Sequence, residues 1–465
     1  MTDTVRYVGK WWLADKADNR VGGVLEISSD GTAHLEVVDE LVGEQTVELI
    51  HGHAAGKMIT LVNSFRTGGN VTFGQAFTAT EKLRSSLVFI GVHLTSEMDK
   101  IFNYIEVEIS CLTSFASRSG LEYATTIDRE NGHFKNAQVT VEIPETLVAR
   151  ATARQQQVEI YWTTKSSSFG NFTYGRDISF TETAKLRVRA DSPSSWNEFD
   201  KVIGSVQNLV TLASQQGCAV RSRKLAITQE GRAASVELYF SKADTWTDAK
   251  TERHRFLFHL PDLGADYDSA LNRWFSLGEE IGIALDALFS LDYTPTVYYQ
   301  NELFNLASAA EGFHAKLFPE STAHDPEMRS EIVRAAMQAF SEHPEKSWVK
   351  GRLSDNRPGL KKRLLELAAL PDREAVENLL GSIDTWAKWL RDARNAIGHM
   401  DTGELEKKIP EDARYRLSYV TKALLHLVLL QKLGISSELQ SRAVADIYGY
   451  SAREFRKVVA EAAQR

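Results

Sequence analysis

The stretch SIDTWAKWLRDARNAIGHM, residues 382–400, indicates both the fold of the C-terminal half of the chain and the position of a candidate site. Its apolar residues recur every three or four positions, which predicts one amphipathic helix over residues 372–399. The buried face of this helix would consist of Trp386, Trp389, Leu390, Ala393 and Ile397. Gly398 and the polar turn after it predict that His399 lies in the last helical turn.

The polar side of the predicted helix carries a crowded set of residues. Arg391, Asn395 and His399 follow each other at intervals of four, and Arg394 lies about 60° around the axis from Arg391. A histidine can transfer protons near neutral pH, and a guanidinium can stabilise negative charge on a phosphate, so this combination can cleave RNA. The alternative is a basic cluster that only favours the helix dipole and hydrogen-bonds the last carbonyls.

Two segments near the C-terminus resemble one known family. The spacing from Arg394 to His399, with Asn395 directly after the arginine, resembles the Rx4–6H motif of HEPN ribonucleases. An earlier helix, predicted over residues 296–318, contains LFNLASAAEGFH at residues 303–314 and resembles the first helix of the ApeA-like branch of that superfamily. The two matched helices follow each other in the order that the family has.

The N-terminus agrees with this resemblance. The segments KWWL at residues 10–13, DNRV at 18–21 and GVL at 23–25 resemble the opening of the N-terminal domain attached to ApeA-type HEPN proteins. The resemblance implies a metal-independent endoribonuclease of abortive antiphage defence, with tRNA as the favoured substrate and a phage-derived protein as a trigger. It implies no cofactor, and it implies a homodimer, because Rx4–6H domains generally face two copies of the motif.

The resemblance also assigns roles to the motif residues. His399 would act as general acid or base on the ribose 2′-hydroxyl or the leaving 5′-oxygen, and Arg394 would stabilise the transition state. Asn395 would orient the phosphate or the histidine. Glu311, at the margin of an apolar helix face, needs a partner for its carboxylate. It would either form an ion pair with Arg391 or Arg394, or serve as an auxiliary catalytic or RNA-positioning group.

The net charge of the 465-residue chain, −8 at pH 7, argues against a protein that coats nucleic acid without specificity. Basic residues are nevertheless concentrated locally, above all in residues 350–363. Lys361, Lys362 and Arg363, together with Arg391, are therefore candidate RNA-binding residues. A solvated helix face is the alternative interpretation of these charges.

The pattern along the chain predicts an α+β protein. Residues 1–260 are β-rich and suit a sandwich or barrel, with two subdomains and a break near residues 113–150 as one option. The strands expected here include residues 24–27, 157–162 and 255–260. From residue 261 to 465 the apolar spacing is helical, with long helices at 267–291 and 372–399, and the HEPN-like bundle would occupy about 296–465. The β-rich part, which has no catalytic cluster, would then be the sensor or regulator.

Composition favours a cytoplasmic protein. Two cysteines, Cys111 and Cys218, cannot form a disulfide framework or a zinc site by themselves, which suits a reducing compartment. The N-terminus lacks the apolar core of a signal peptide, and no segment is apolar over the length that a bilayer requires. We therefore expect neither a membrane anchor nor a metal centre.

Two other functions are compatible with the sequence. The helical bundle could serve as a non-catalytic binding or dimerisation module beside an N-terminal domain that recognises a partner. A carbohydrate-binding β domain is suggested if Trp11, Trp12, Tyr161 and Trp162 are exposed, although tryptophan pairs usually pack in a core. His51 and His53 would share one face of a strand and could ligate a metal, but an exposed strand edge is the simpler interpretation.

Overall fold

A computed structural model of the protein describes residues 4–43, 46–72, 78–117, 120–127, 134–142, 147–166, 179–229, 231–241, 256–264, 266–294 and 297–464. Over these residues a β-rich N-terminal region is followed by an all-helical C-terminal region, which confirms the predicted α+β class. Within the same ranges, no helix has both the length and the apolar character needed to cross a bilayer.

The first six strands close into an antiparallel barrel. They are β1 (Val5–Leu13), β2 (Val21–Ile27), β3 (Ala33–Val38), β4 (Val47–Ala54), β5 (Lys57–Thr72) and β6 (Thr78–Ile90). Their order is β6-β3-β2-β1-β4-β5, and β5 pairs back with β6. Every second side chain points inward, and Trp11 is completely buried in the barrel core. Gly52 makes this possible, because a Cβ there would lie 2.2 Å from the Trp11 ring.

Beyond the barrel, six further strands of the same hydrogen-bonded sheet form an extension, which we call the second sheet. It contains β7 (Phe102–Ile109), β10 (Leu147–Ala153), β11 (Gln156–Ser166), β12 (Phe180–Ser194), β13 (Val220–Gln229) and β14 (Arg232–Phe240). The order is β10-β11-β12-β7-β13-β14, and β14 pairs with β6 of the barrel. The strands β8 (Leu121–Ile127) and β9 (Phe134–Val141) form a separate hairpin. The change from barrel to second sheet therefore lies between Ile90 and Phe102, upstream of the break considered near residues 113–150.

Helices accompany the second sheet and then form the C-terminal bundle. The first two are α1 (Leu112–Ala116) and α2 (Asp200–Ser214). The bundle consists of α3 (Tyr267–Ile281), α4 (Ile283–Tyr293), α5 (Tyr299–Leu317), α6 (Pro326–Ala339), α7 (Lys346–Ser354), α8 (Leu360–Ala368), α9 (Arg373–Leu380), α10 (Ile383–Gly398), α11 (Thr402–Lys408), α12 (Glu411–Leu433), α13 (Ser437–Asp446) and α14 (Gly449–Gln464). Helix α12 is its centre and contacts α3, α5, α9 and α14.

Both long helices predicted from the sequence are interrupted by a glycine. Gly282 separates α3 from α4 with a φ of 54°, and Gly381 separates α9 from α10 with a φ of 70°. Positive φ is accessible to glycine at little cost, so the apolar pattern continues while the helix axis changes direction. The strand predicted at residues 255–260 is also wrong over its described part, because residues 260–263 form a single 3₁₀ turn with Pro261 in its first turn.

The two regions share one apolar core and a buried polar network. Helix α2 of the β-rich region packs against α3 and α4. At its C-terminal end, Gln215 Nε2 lies 3.2 Å from His426 Nδ1, and the Tyr448 hydroxyl donates to Gln215 Oε1 at 2.7 Å. Burial lowers the pKa of His426 well below its ordinary value, with a smaller effect from the Lys422 charge, so the ring is neutral and Nδ1 can accept.

An ion pair between α4 and α12 allows the packing of this bundle to be tested by mutation. Lys422 Nζ lies 2.7 Å from Asp292 Oδ1, and the carboxylate is almost fully buried. Burial raises the pKa of Asp292, and the Lys422 charge opposes that rise. We expect Lys422→Met to reduce the free energy of unfolding at neutral pH by about 3–5 kcal/mol, because it leaves a buried carboxylate without its partner.

The pH dependence of this loss follows from the raised pKa. The folded Lys422→Met variant holds the Asp292 proton more tightly than the unfolded chain, so its stability falls as pH rises above the unfolded value of about 3.9. The difference in melting temperature between variant and parent should therefore narrow as the pH is lowered towards about 4. A difference that stays constant between neutral pH and pH ~4 would contradict this interpretation.

Candidate active site

The contacts of its buried face fix the rotation of helix α10 about its own axis. Ser382 caps its N-terminus and accepts from the Thr385 amide at 3.3 Å. Trp386 donates from Nε1 to Thr421 Oγ1 of α12 at 3.0 Å, and Trp389 packs edge-to-face against Phe455 of α14. These contacts confirm the predicted buried side and direct the opposite side of the helix to solvent.

His399 lies at the C-terminal end of this helix, as the sequence predicts. It is the C-cap residue, and its amide donates to the Asn395 carbonyl at 3.0 Å. The next residue, Met400, has a φ of 56°, and the Asp401 amide closes the turn onto the Ala396 carbonyl at 2.8 Å. The imidazole is exposed and has no side-chain hydrogen bond or ion pair within the described residues, so both ring nitrogens are open to a substrate.

Arg394 points towards α5 and contacts Glu311 there. Its Nη2 lies 3.4 Å from Glu311 Oε2, so the carboxylate has found one of the two partners expected for it. The Nε atom of Arg394 is buried and has no hydrogen-bond partner among the residues that the structure describes. Glu311 therefore orients the Nη2 edge of the Arg394 guanidinium, whereas the Nε donor makes no hydrogen bond within the described residues.

An open depression of about 490 Å³ surrounds Arg394. Its wall is formed by Glu311, Gly312, Asp355, Arg357, Pro358, Arg363 and Arg394. The Arg363 Nε donates to the Pro358 carbonyl at 2.7 Å, whereas Arg357 forms a fork with Asp355 at 2.7–3.0 Å. That fork lowers the pKa of Asp355 to about 2. Three guanidiniums against two carboxylates give a site whose charge suits a phosphate.

Within one chain, Arg394 and His399 do not face the same way. Asn395 and His399 lie about 40° apart around the helix, whereas Arg394 and His399 lie about 140° apart and about 7.5 Å apart along the axis. The structure therefore joins Asn395 with His399 on an exposed stripe, and Arg394 with Glu311 and Arg363 in the depression. One bound phosphate would contact both groups only near the edge between these two surfaces.

The other candidate RNA-binding residues are engaged elsewhere. Lys361 Nζ lies 2.6 Å from Asp384 at the start of α10, about 15 Å along that helix from Arg394. Lys362 donates to the Thr322 carbonyl at 2.6 Å. Arg391 forms an ion pair with the buried neighbouring Asp392 at 2.7 Å. Of the four predicted RNA-binding side chains, Arg363 alone lines the depression with Arg394, and the RNA-binding roles of all four stay predictions.

His314, which the sequence placed near Glu311, joins α5 to α8. It is buried, its Nε2 lies 2.5 Å from Glu366 Oε2, and its ring stacks on Phe318. Partial burial raises the pKa of Glu366, but hydrogen bonds from His314 and Ser321 outweigh that effect and keep the pKa below its ordinary value. This pair is a packing contact between α5 and α8, and Glu366 gave no signal in the sequence.

The aromatic residues considered for carbohydrate binding are buried. Trp11, Trp12, Tyr161 and Trp162 are each at most 9% exposed, so they offer no stacking platform. His51 does not lie at a sheet edge, because β4 pairs with both β1 and β5. It stacks on His93 with ring centroids 4.5 Å apart. Among the described residues, no group of three or more His, Cys, Asp or Glu is arranged to hold a metal ion.

Comparisons with known proteins give two family models that match the chain, one towards each end. The family model described as ApeA N-terminal domain 1 matches residues 6–274, and the model described as Apea-like HEPN matches residues 304–439. No curated protein and no solved structure gives a significant match. The HEPN match begins at Phe304 in α5 and includes all of α10, so Glu311, Arg394 and His399 lie within it.

Proposed function

The chain belongs to the family that joins an ApeA N-terminal domain 1 to an Apea-like HEPN domain, and we propose that it is a metal-independent endoribonuclease. The observation that carries this proposal is that one helix positions both an exposed His399, which has no side-chain partner among the described residues, and an Arg394 held by Glu311 in a depression rich in guanidinium groups. As the substrate we propose host RNA, with tRNA the favoured class, cleaved in the cytoplasm during abortive antiphage defence.

The chemistry that we propose is attack of a ribose 2′-hydroxyl on the adjacent phosphorus. His399 takes the 2′-hydroxyl proton, or in its protonated form gives a proton to the leaving 5′-oxygen. Arg394 stabilises the charge that develops on the phosphate oxygens through the exposed part of its side chain, which is 37% exposed. Asn395, next to His399 on the exposed stripe, orients the phosphate or the imidazole. Glu311 is a positioning residue that holds Arg394.

The ends of the RNA products test this mechanism. We expect fragments with a 2′,3′-cyclic phosphate and a 5′-hydroxyl, because the attacking oxygen belongs to the substrate and water takes no part in the first step. Treatment with a phosphatase or a kinase, followed by a shift in gel mobility, identifies both ends. Products with a 5′-phosphate would contradict the mechanism, since they require attack by water from the other side of the phosphorus.

One chain supplies one histidine and one arginine that face different ways, which supports a composite site in a homodimer. On α5, Phe304 and Glu311 lie about 20° apart around the helix axis. Both lie beside the motif, because Glu311 contacts Arg394 and a Cβ at Gly398 would lie 3.6 Å from the Phe304 ring. The exposed Tyr298 directly precedes this helix. We propose that two copies of this surface meet across a twofold axis, so that His399 of one chain approaches Arg394 of the other.

The β-rich region is proposed to be the regulator of this activity, with a phage-derived protein as its partner. Support comes from the contact between the regions, where the neutral His426 of α12 shares hydrogen bonds with Gln215 at the end of α2. A partner that binds the N-terminal region can change the activity only as far as it prefers one arrangement of this contact over another.

A further inference from the structure

Helices α6 and α7 form an arm that has almost no contact with the rest of the bundle. Neither helix contains a fully buried residue, and they pack mainly against each other. The base of the arm is closed by Asn356, which accepts from the His324 amide at 3.1 Å and donates to the His324 carbonyl at 3.0 Å. The arm therefore projects from a fixed base, directly after which Arg357 and Arg363 line the depression at Arg394.

The charge of this segment is opposite to that of the whole chain. Residues 346–363 contain seven lysines and arginines and one acidic residue, Asp355, in a protein whose net charge is −8. The positive charge begins on α7 and continues through the base of the arm into the depression. A surface with this positive charge can bind a polyanion, since each phosphate that it neutralises releases condensed counterions.

The exposed aromatic residue on α7 indicates what kind of polyanion fits. Trp348 is 60% exposed, and the Arg352 guanidinium lies 5.6 Å from its ring centroid. Viewed along the axis, Trp348 and Arg352 lie on one flank and Lys346 and Lys350 on the other, about 160° apart. An aromatic face for a base with a guanidinium on the same flank, and further cations for phosphates around the same helix, are features of proteins that bind single-stranded or unpaired nucleotides.

We propose that α7 and the base of the arm form the RNA-binding surface that directs a single-stranded segment into the depression at Arg394. This inference rests on the proposed nuclease function and adds the residues that hold the substrate. Trp348 stacks on an unpaired base about 10 Å from the depression, measured along α7 to Asp355, and Lys350 and Arg352 contact phosphates about 5–8 Å from it. Arg357 and Arg363 contact the phosphates nearest to the cleaved bond.

Binding of fluorescently labelled tRNA tests the arm without cleavage. All variants are made in full-length His399→Ala protein, and the affinity is measured between ~50 and ~200 mM salt. Lys350→Gln/Arg352→Gln should weaken binding roughly tenfold and make the slope of log affinity against log salt shallower by about one to two. Trp348→Ala should weaken binding roughly tenfold with little change in slope. Melting temperatures should stay unchanged, because these side chains are exposed.

A second exposed pair of the same kind provides the control. Arg453 lies 5.9 Å from the ring centroid of Tyr450 on α14, and Tyr450 is 70% exposed. Tyr450→Ala should leave RNA binding unchanged. Unchanged affinity in the arm variants would overturn the proposal. So would a lower sedimentation mass with RNA affinity retained, which would make the arm a contact between copies of the chain.

The kinetics of the arm variants distinguish a failure of the arm proposal from a failure of the nuclease proposal. In protein with an intact His399, the arm variants should raise KM and leave kcat nearly unchanged, since the arm acts in binding. Arm-dependent binding in a protein that never cleaves RNA would support the arm and refute the nuclease. A fall in kcat without a rise in KM would overturn the arm as a binding surface.

Discussion

His399→Ala is expected to reduce kcat for RNA cleavage by a factor of about 10²–10⁴, the range in which removal of a general acid or base falls. The melting temperature should change little, because the imidazole is exposed and has no side-chain partner within the described part of the chain. Single-turnover cleavage of labelled RNA, together with thermal unfolding of the same preparations, measures both quantities.

His34→Ala is the matched control for this change. His34 is also an exposed histidine, but it lies on β3 of the barrel. Its removal should leave kcat within about twofold of the parent, because it is outside the proposed site. Equal activity of the His399→Ala variant and the parent would remove His399 from the mechanism, and equal loss in both variants would point to a general effect on the fold.

Disruption of the proposed twofold contact should cost nearly as much activity as the loss of His399. Val297→Glu/Tyr298→Glu places two carboxylates on the exposed segment that directly precedes α5, the helix whose Glu311 contacts Arg394 of the motif. We expect sedimentation to show a monomer in place of a dimer, and cleavage to fall by roughly 10² or more, because each chain then retains an arginine and a histidine that face apart. Neither substituted residue contacts the proposed reacting groups.

Ile283→Glu is the control for this effect. Ile283, at the start of α4, is 86% exposed and Val297 is 89% exposed, so the two positions are matched in exposure but differ in location. This variant should stay dimeric and active. A parent protein that is a strict monomer and cleaves RNA at the full rate would contradict the composite site.

Several features of the fold could be predicted because they depend on local pattern. The α+β class follows from apolar residues that alternate in the first half and recur at helical spacing in the second. The last-turn position of His399 follows from Gly398 and the polar turn after it. The barrel closure could not be predicted, because it depends on pairing of β1 with β4 and of β3 with β6, and such long-range pairs leave no signal in one sequence.

The side-chain contacts of the candidate site could likewise be predicted only in part from the sequence. The partnership of Glu311 with either arginine was foreseeable, since a carboxylate at an apolar margin needs a cation, but the choice of Arg394 depends on the crossing of α5 and α10. Lys361 and Lys362 had the right charge for RNA, yet Asp384 and Thr322, brought close by the fold, engage them. The arm could not be predicted, because a sequence does not reveal which apolar faces remain uncovered.

The most direct measurement compares RNA cleavage by the purified full-length protein and by its His399→Ala variant, both in excess EDTA. The proposed mechanism predicts that the parent cleaves tRNA under these conditions and that the variant does not, because the reaction uses protein side chains and the substrate 2′-hydroxyl alone. Cleavage that stops when EDTA is added, or that persists in the variant, would contradict the assignment of His399 and Arg394 as the catalytic pair.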